Sequence, residues 1–307
     1  MRRCSFAVLL LLLFSSPLLA WNEKGHMVIA RMAWQKLDCD QRRAVTEILK
    51  AHPHYDEFLA AERPEGVGID EWVFMRASYW SDWVRSNHTD QYSRPTWHYY
   101  SVAYVPPHSK KDASSIERND PNVITQIPFS MEKVRSGDAR EKAIYLCWLL
   151  HLIGDIHQPL HCGSQLDEKF PEGDRGGNLA MVRFNGGEPV RLHSAWDAML
   201  GEDFSLPSVY ETVEVLEKIE QQNAEALKSD LREHPTSADW AREGFESVEE
   251  HVYLQGDLRP AHAYHEADVA AAPNLADAYV ENATRVARLA AVRAGNRLAV
   301  SIAASLD

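Results

Sequence analysis

The segment Lys142 to Ile156, KAIYLCWLLHLIGDI, is apolar on nearly every face. A helix of that kind has no side to offer water, so it must run through the centre of a folded body with the rest of the chain packed around it. Pro159 ends it. Its last turn nevertheless carries His151 and Asp155, four residues apart and therefore on one face. Ionisable groups in an apolar interior must neutralise each other or be neutralised by a metal ion. A single such pair is most simply a core histidine bonded to a helical aspartate. The metal reading rises above that one because of what else the chain carries.

Most of the remaining chain has helical spacing. His26 to Leu37 places Val28, Ile29, Met32, Ala33 and Leu37 on one stripe, and Arg42 to Leu59 is periodic but interrupted by Pro53. Tyr210 to Leu227, Ala238 to Leu254 and Leu275 to Leu306 are further amphipathic candidates. The Gly-rich stretch Asp174 to Val190 is the exception: Leu179 to Phe184, Asn185-Gly186-Gly187 and Glu188 to Leu192 spell a small β-hairpin. Pro64 to Gly68 and Tyr104 to Lys111 read as surface loops. With no repeat, no low-complexity tract and no dividing linker, the expected architecture is all-α: one mainly helical domain over 21–307 with a minor β-hairpin.

Residues 1–20 read as an address. Arg2 and Arg3 precede an apolar run from Phe6 to Phe14, and Ala20 offers a small residue for cleavage, the pattern of a secretory signal peptide. That run is too short to span a bilayer, and no later segment is long and apolar enough. Export, whether to a periplasm or fully outside the cell, implies an oxidising compartment in which Cys39, Cys147 and Cys162 have room for at most one disulfide among them. Cleavage after Ala20 leaves Trp21 first, placing a free α-amine and a carbonyl at the head of the chain, both able to bind a metal. Asn87-His88-Thr89 and Asn282-Ala283-Thr284 match the glycosylation acceptor pattern.

Three patterns carry the chemistry. The first is the string His151-Leu-Ile-Gly-Asp155-Ile-His157-Gln-Pro-Leu-His161, in which His161 lies past the proline break and can turn back toward the helix end. The second is His193-Ser-Ala-Trp-Asp197, again His and Asp at i and i+4. Two such pairs are much harder to obtain by accident than one. The third pairs Tyr79-Trp80-Ser81-Asp82-Trp83 with Trp97-His98-Tyr99-Tyr100, aromatic clusters whose ordinary role is packing. Imidazoles with carboxylates and no thiolate cluster suit catalytic zinc. A formal net charge of −13 argues against holding nucleic acid on a basic surface, while leaving open phosphates held through bound metal ions.

Taken in order, Trp21 and His26, Asp82, Trp97-His98-Tyr99, the His151 to His161 string, Gly176-Gly177-Asn178, Leu192-His193-x-x-Trp196-Asp197 and Ala294-Gly295-Asn296-Arg297-Leu298-Ala299 resemble the S1/P1 nuclease family of zinc-dependent secreted nucleases. The resemblance covers almost all of the chain after Ala20. It implies a mainly helical fold of the phospholipase C/P1 nuclease type and three zinc ions. One is held by Asp82, His98, His151 and Asp155, a second by His161, His193 and Asp197, and a third by the amine and carbonyl of Trp21, His26 and the bridging Asp155. It implies endonucleolytic hydrolysis of single-stranded DNA and RNA to 5′-phosphorylated products, with Asp82 and Asp155 as the catalytic carboxylates and 3′-nucleotidase activity as a companion reaction. Tyr99 stands where relatives stack an aromatic on a base. Ser101 stands where some relatives carry an acid. Asn178 has two readings, substrate contact or support of the hairpin before His193. His157 is expected to pack or hydrogen-bond behind the ligands, and His52, His54, His88, His108, His234, His251, His262 and His265 to lie at the solvated surface. A monomer without a membrane or protein partner is expected. The alternatives are a zinc-dependent phospholipase C of the same fold and a non-catalytic zinc-binding protein; the short Trp21 to His26 gap, the long His161 to His193 interval and Asp at position 197 favour the nuclease.

Overall fold

The computed structural model describes residues 21–87, 91–115, 119–264 and 266–307. The leader at 1–20, His88 with Thr89 of the first acceptor pattern, and His265 lie outside the described residues. In chain order the helices are α1 Glu23–Lys36, α2 Cys39–Lys50, α3 Ile69–Ala77, α4 Trp80–Asn87, α5 Val123–Ser136, α6 Ala139–Asp155, α7 Leu192–Asp197, α8 Leu206–Gln222, α9 Ala224–Glu233, α10 Ser237–Ser247, α11 Glu266–Ala270 and α12 Asp277–Leu306. Short strands fall between them: β1 Val102–Tyr104, β2 Gly163–Gln165, β3 Ala180–Phe184, β4 Val190–Arg191, β5 Ala261–His262 and β6 Asn274–Leu275. The mainly helical class expected from the sequence is the one observed.

The all-apolar segment is α6, and it is central. Every residue from Leu146 to Asp155 is buried, and the helix packs on α5, α2, α12, α4 and α1. It begins three residues before the apolar run because Asp138 caps it, accepting from the Glu141 backbone N–H at 2.9 Å in a capping box. Among the described residues no helix is long and apolar enough to cross a membrane. α1 starts just as deliberately: the Asn22 side chain accepts from Gly25 N at 3.1 Å and donates to the Gly201 carbonyl at 2.8 Å. The thirty-residue α12 lies along α1, α8, α5 and α6 and closes the far side.

Two long amphipathic stretches are each broken. Tyr210 to Leu227 divides into α8 and α9 at Asn223, which leaves helical geometry (φ −115°, ψ 15°) while its amide donates to the Ile219 carbonyl at 2.7 Å. Ala238 to Leu254 stops being α-helical at Ser247, widens into a single π turn over Val248–Val252, and then meets left-handed Leu254 and Gln255. Periodicity persists through both breaks, so it does not reveal them. The hairpin forms as expected, Met181 opposite Arg191 and Val182 opposite Val190. Asn185 (φ 48°) and Gly186 (φ 70°) make its turn. β5 and β6 pair with β3 as well, one antiparallel and one parallel, so the hairpin belongs to a larger sheet.

One other expectation is corrected. His52 and His54 are buried rather than surface residues: His54 Nδ1 accepts from the Trp80 indole N–H at 2.9 Å, and His52 meets the Trp80 ring edge-on at 4.7 Å. Pro53 fixes the bend that tucks them under α4. Cys39, Cys147 and Cys162 are all free thiols, the first exposed and the others buried, within the limit of at most one disulfide among them.

Candidate metal centre

The C-terminal turn of α6 is where the ionisable residues converge. Leu152 and Ile153 face the core, which turns His151 and Asp155 together toward α1, α4 and the loop after Arg94. His151 Nδ1 donates to the Ser78 carbonyl at 2.8 Å, which turns its Nε2 toward the other ionisable groups. That Nε2 lies 3.0 Å from His98 Nδ1, 3.2 Å from Asp155 Oδ2 and 3.8 Å from Asp82 Oδ1. Asp155 reaches two ways: Oδ2 to His98 Nδ1 at 2.9 Å and Oδ1 to His26 Nε2 at 3.4 Å. The His26 and His151 rings stack at 4.1 Å. His26 fits only because residue 154 is glycine, since a Cβ there would lie 2.7 Å from His26 Nδ1. Trp21, fully buried, donates its indole N–H to the Gly154 carbonyl at 3.0 Å, pinning the start of α1 to the α6 turn that carries Asp155.

A second group assembles beside the first. After Pro159 the chain makes one 3₁₀ turn, and β1–β2 pairing ties it to the His98 loop, with Tyr100 N donating to the His161 carbonyl at 2.8 Å. His161 Nδ1 donates to the His98 carbonyl at 2.6 Å, and His193 Nδ1 donates to the Gly176 carbonyl at 2.6 Å. Both Nε2 atoms are therefore acceptors, yet they face each other at 3.2 Å. Asp197 Oδ2 stands 3.7 Å from His193 Nε2, and its Oδ1 accepts from Gln158 Nε2 at 2.7 Å.

This donor set fits metal ions. Two buried lone pairs aimed at each other repel unless a cation lies between them. His26 Nδ1, Asp82 Oδ2 and His98 Nε2 are buried without hydrogen-bond partners. Such vacant valences are otherwise expensive in an interior. Three sets have ligand atoms all within 4.8 Å of one another: His26, His151 and Asp155; Asp82, His98 and His151; His161, His193 and Asp197. A fourth acidic and imidazole cluster, Asp230, His234 and Glu243, is already neutralised by Arg297, whose guanidinium lies 2.8 Å from both Glu243 oxygens and from Asp230 Oδ2.

Against the effect of burial, the charges of Asp155 and Asp82 raise the pKa of His151 and favour a proton on its Nε2, which ligation would displace. Burial lowers the pKa of His98 and of His161 to about 4, so both are neutral near pH 7. Burial opposes charge on Asp155 too, but the His151 charge and hydrogen bonds from His151, His26 and His98 outweigh it and hold this carboxyl well below the usual range. Burial raises Asp82 and Asp197, which have fewer compensating donors.

The two groups open into a cleft of about 320 Å³ with His98, His161 and His193 in its wall. Tyr99 lines it, as does Ser101. Asn178 lines it but is buried, its amide donating to the Arg175 carbonyl at 2.9 Å, which is the contact of a loop support. His157 takes the role behind the ligands: Nδ1 donates to the Ile153 carbonyl at 2.7 Å and Nε2 accepts from Arg297 at 2.9 Å. Sequence reasoning missed Arg85, Arg175 and Gln158. Arg85 follows Asp82 by one helical turn, and its guanidinium sits 3.0 Å from Asp82 Oδ1; that spacing was a usable signal. A larger groove of about 720 Å³, on the outer side of α7, contains none of these His and Asp residues.

The chain is similar to known proteins. The S1/P1 Nuclease family profile matches residues 21–307. Among curated proteins the chain is similar to Endonuclease 4 of Arabidopsis thaliana, 24% identical over 64% of this chain and 60% of that one. It is also similar to Nuclease S1 of Aspergillus oryzae, 28% identical over 45% of each chain. Endonuclease 1 of Arabidopsis thaliana is 24% identical over 76% of this chain and 67% of its own length. The chain thus spans less than two thirds of the length of Endonuclease 4 and of Nuclease S1.

Proposed function

The chain belongs to the S1/P1 nuclease family, and we propose that it is an exported zinc-dependent endonuclease that hydrolyses single-stranded DNA and RNA to 5′-phosphorylated products. The observation that carries the reading is the pair of facing acceptor atoms, His161 Nε2 and His193 Nε2 at 3.2 Å, opening into the cleft lined by Tyr99. The donors fit three zinc ions: Asp82, His98, His151 and Asp155 would hold one, His161, His193 and Asp197 another, and His26, Asp155 and the freed α-amine and carbonyl of Trp21 the third. This last set requires removal of residues 1–20 as a signal peptide. Bound zinc supplies Lewis acidity, lowering the pKa of water from about 16 to roughly 7 and neutralising charge on a phosphate.

The chain's own groups do the rest. The Ser78, His98 and Gly176 carbonyls fix the tautomers of His151, His161 and His193, so all three present Nε2 inward without reorganisation. Asp155, held ionised and shared between two sets, fixes their separation; Asp82 orients the attacking water. Arg85 lies in the cleft wall beside Asp82, 12% exposed, where its charge meets that developing on the phosphoryl oxygens. Attack in line with the 3′-oxygen expels it and leaves the phosphate on the 5′ side. Tyr99 offers a ring for a base to stack on. A cleft this narrow in an acidic surface admits a flexible single strand more readily than a duplex.

The test is digestion of single- and double-stranded DNA by protein beginning at Trp21, with and without EDTA. Single-strand cleavage that EDTA abolishes and zinc restores is expected. No cleavage by a preparation verified to hold three zinc ions overturns the reading in favour of a phospholipase C, for which choline phospholipid is the substrate to try next.

A further inference from the structure

The loop that aims His193 also carries an arginine that nothing in the site uses. Within Gly173 to Gly177, four residues adopt left-handed backbone: Gly173 (φ 83°), Arg175 (φ 58°), Gly176 (φ 59°) and Gly177 (φ 77°). Three are glycines, for which the conformation carries little penalty; Arg175 bears a Cβ that crowds the following carbonyl. At Gly176 a side chain would strike the Leu160 carbonyl, so the loop lies flush against the His161 turn. It is clamped at both ends. Asp174, fully buried, accepts from Ser164 Oγ and Gln165 N at 3.0 Å each and from Tyr253 OH. Asn178 holds the Arg175 carbonyl at 2.9 Å. The Arg175 Cα is therefore rigidly placed relative to His193, whose Nδ1 bonds the very next carbonyl.

The side chain is exposed, lines the cleft with His98, His161 and His193, and has no hydrogen bond or ion pair with any described residue. In a chain of net charge −13, an unpaired guanidinium at the mouth of a phosphate-binding cleft is out of keeping with its surroundings. Glycine or asparagine would relax the backbone here, so the side chain itself accounts for the residue. Arg85, by contrast, is deep in the wall and tied to Asp82.

We propose that Arg175 is a substrate-binding residue that grips the backbone phosphate next to the one being cleaved, selecting polynucleotide over substrates with a single phosphate. This rests on the nuclease reading. A planar guanidinium takes a phosphate in two parallel hydrogen bonds, and a rigid Cα fixes the distance between the gripped phosphate and the reacting one. Because the contact is made equally before and during reaction, it lowers KM and leaves kcat alone.

The zinc-loaded protein and its Arg175→Ala and Arg175→Gly variants are compared on the dinucleotide TpT, which has one phosphodiester, and on a longer oligothymidylate. Loss of one phosphate contact is expected to raise KM for the oligomer about tenfold, with kcat within about twofold and TpT hydrolysis unchanged. The slope of log KM against log salt should fall by about 0.7, the value for one contact to a single strand. Arg175→Gly should show the same losses with a Tm no lower than wild type, a combination that a merely structural arginine does not give. Equal losses on TpT and oligomer, a fall in kcat, or an unchanged KM for the oligomer overturns the proposal while the wild type remains active. A wild type that cleaves neither substrate overturns the nuclease reading, and this proposal with it.

Discussion

Gly154→Ala should disable one metal set without touching a single ligand. The added Cβ would stand 2.7 Å from His26 Nδ1 and 2.9 Å from Cε1, where ordinary contact begins near 3.4 Å, so the ring must retreat by about 0.7 Å. It cannot slide freely, because its other face is stacked on His151 at 4.1 Å. Overpacking of this kind costs about 1–3 kcal/mol, and replacing glycine inside a helix returns about 1 kcal/mol, so the net change in stability is about 0–2 kcal/mol and the protein folds. Zinc–imidazole bonds are roughly 2.0–2.1 Å with a tolerance of a few tenths, so a displacement of that size removes His26 from the third set. Misplacement near 1 Å at a reacting centre lowers rates by about 100-fold. Elemental analysis of gel-filtered protein should find one zinc fewer per chain than wild type, with single-strand cleavage down by about that factor and a near-native circular dichroism spectrum. Wild-type zinc content and rate in Gly154→Ala would refute the assignment of His26 as a ligand held in place by the bare turn beneath it.

Three further outcomes follow from the same geometry. Asp155→Asn should release more zinc than His193→Gln, because Asp155 meets His26, His98 and His151 together; equal zinc content in the two variants would contradict the shared carboxylate. A methionine placed before Trp21 should leave the fold intact but reduce bound zinc and activity relative to protein starting at Trp21, and equal content and rate would show that the α-amine has no part. Metal-free protein should lose stability as pH falls from 7 to 4.5: His98 and His161 have folded pKa values of about 4, below the unfolded value near 6.5, so their contribution is complete above pH 6.5 and is lost as pH falls through 4, up to about 3 kcal/mol each. Asp82 and Asp197, raised by burial, and His151, raised by the Asp155 and Asp82 charges, act in the opposite sense; the His98 and His161 contribution is therefore read as the difference in urea midpoint shift between wild type and a His98→Gln, His161→Gln double variant, and an equal shift in the two would refute the neutral-imidazole picture.

The site was more legible in the sequence than the fold's joints were. His151 with Asp155 and His193 with Asp197 announce themselves because helical spacing puts each pair on one face, and the structure brings Asp82, His98, His26 and His161 to the same place. What spacing cannot register is a backbone group. The Ser78, His98 and Gly176 carbonyls that set three imidazole tautomers leave no residue-type signature. The breaks at Asn223 and Ser247 were invisible because apolar periodicity runs on through them, while local side-chain capping and a π turn end the helices. His52 and His54 were misplaced because a histidine's preference for the surface is weak, and a Trp80 indole needing an acceptor overrode it.

The chain's acidity becomes intelligible once its charges are sorted by depth. The surface is negative and does not attract a polyanion, so the nuclease reading places attraction inside the cleft: in the metal ions, in Arg85 against Asp82, and in Arg175 at the mouth. Asp82, Asp155 and Asp197 are buried and help substrate binding only as metal ligands. Metal removal should therefore take away most of the cleft's attraction for phosphate. Oligonucleotide binding by the EDTA-treated protein should fall below detection even at low salt, where a basic surface would still hold the strand. If the metal-free protein binds oligonucleotide as tightly as the zinc-loaded one, the attraction lies on the surface and this account of the charge is wrong.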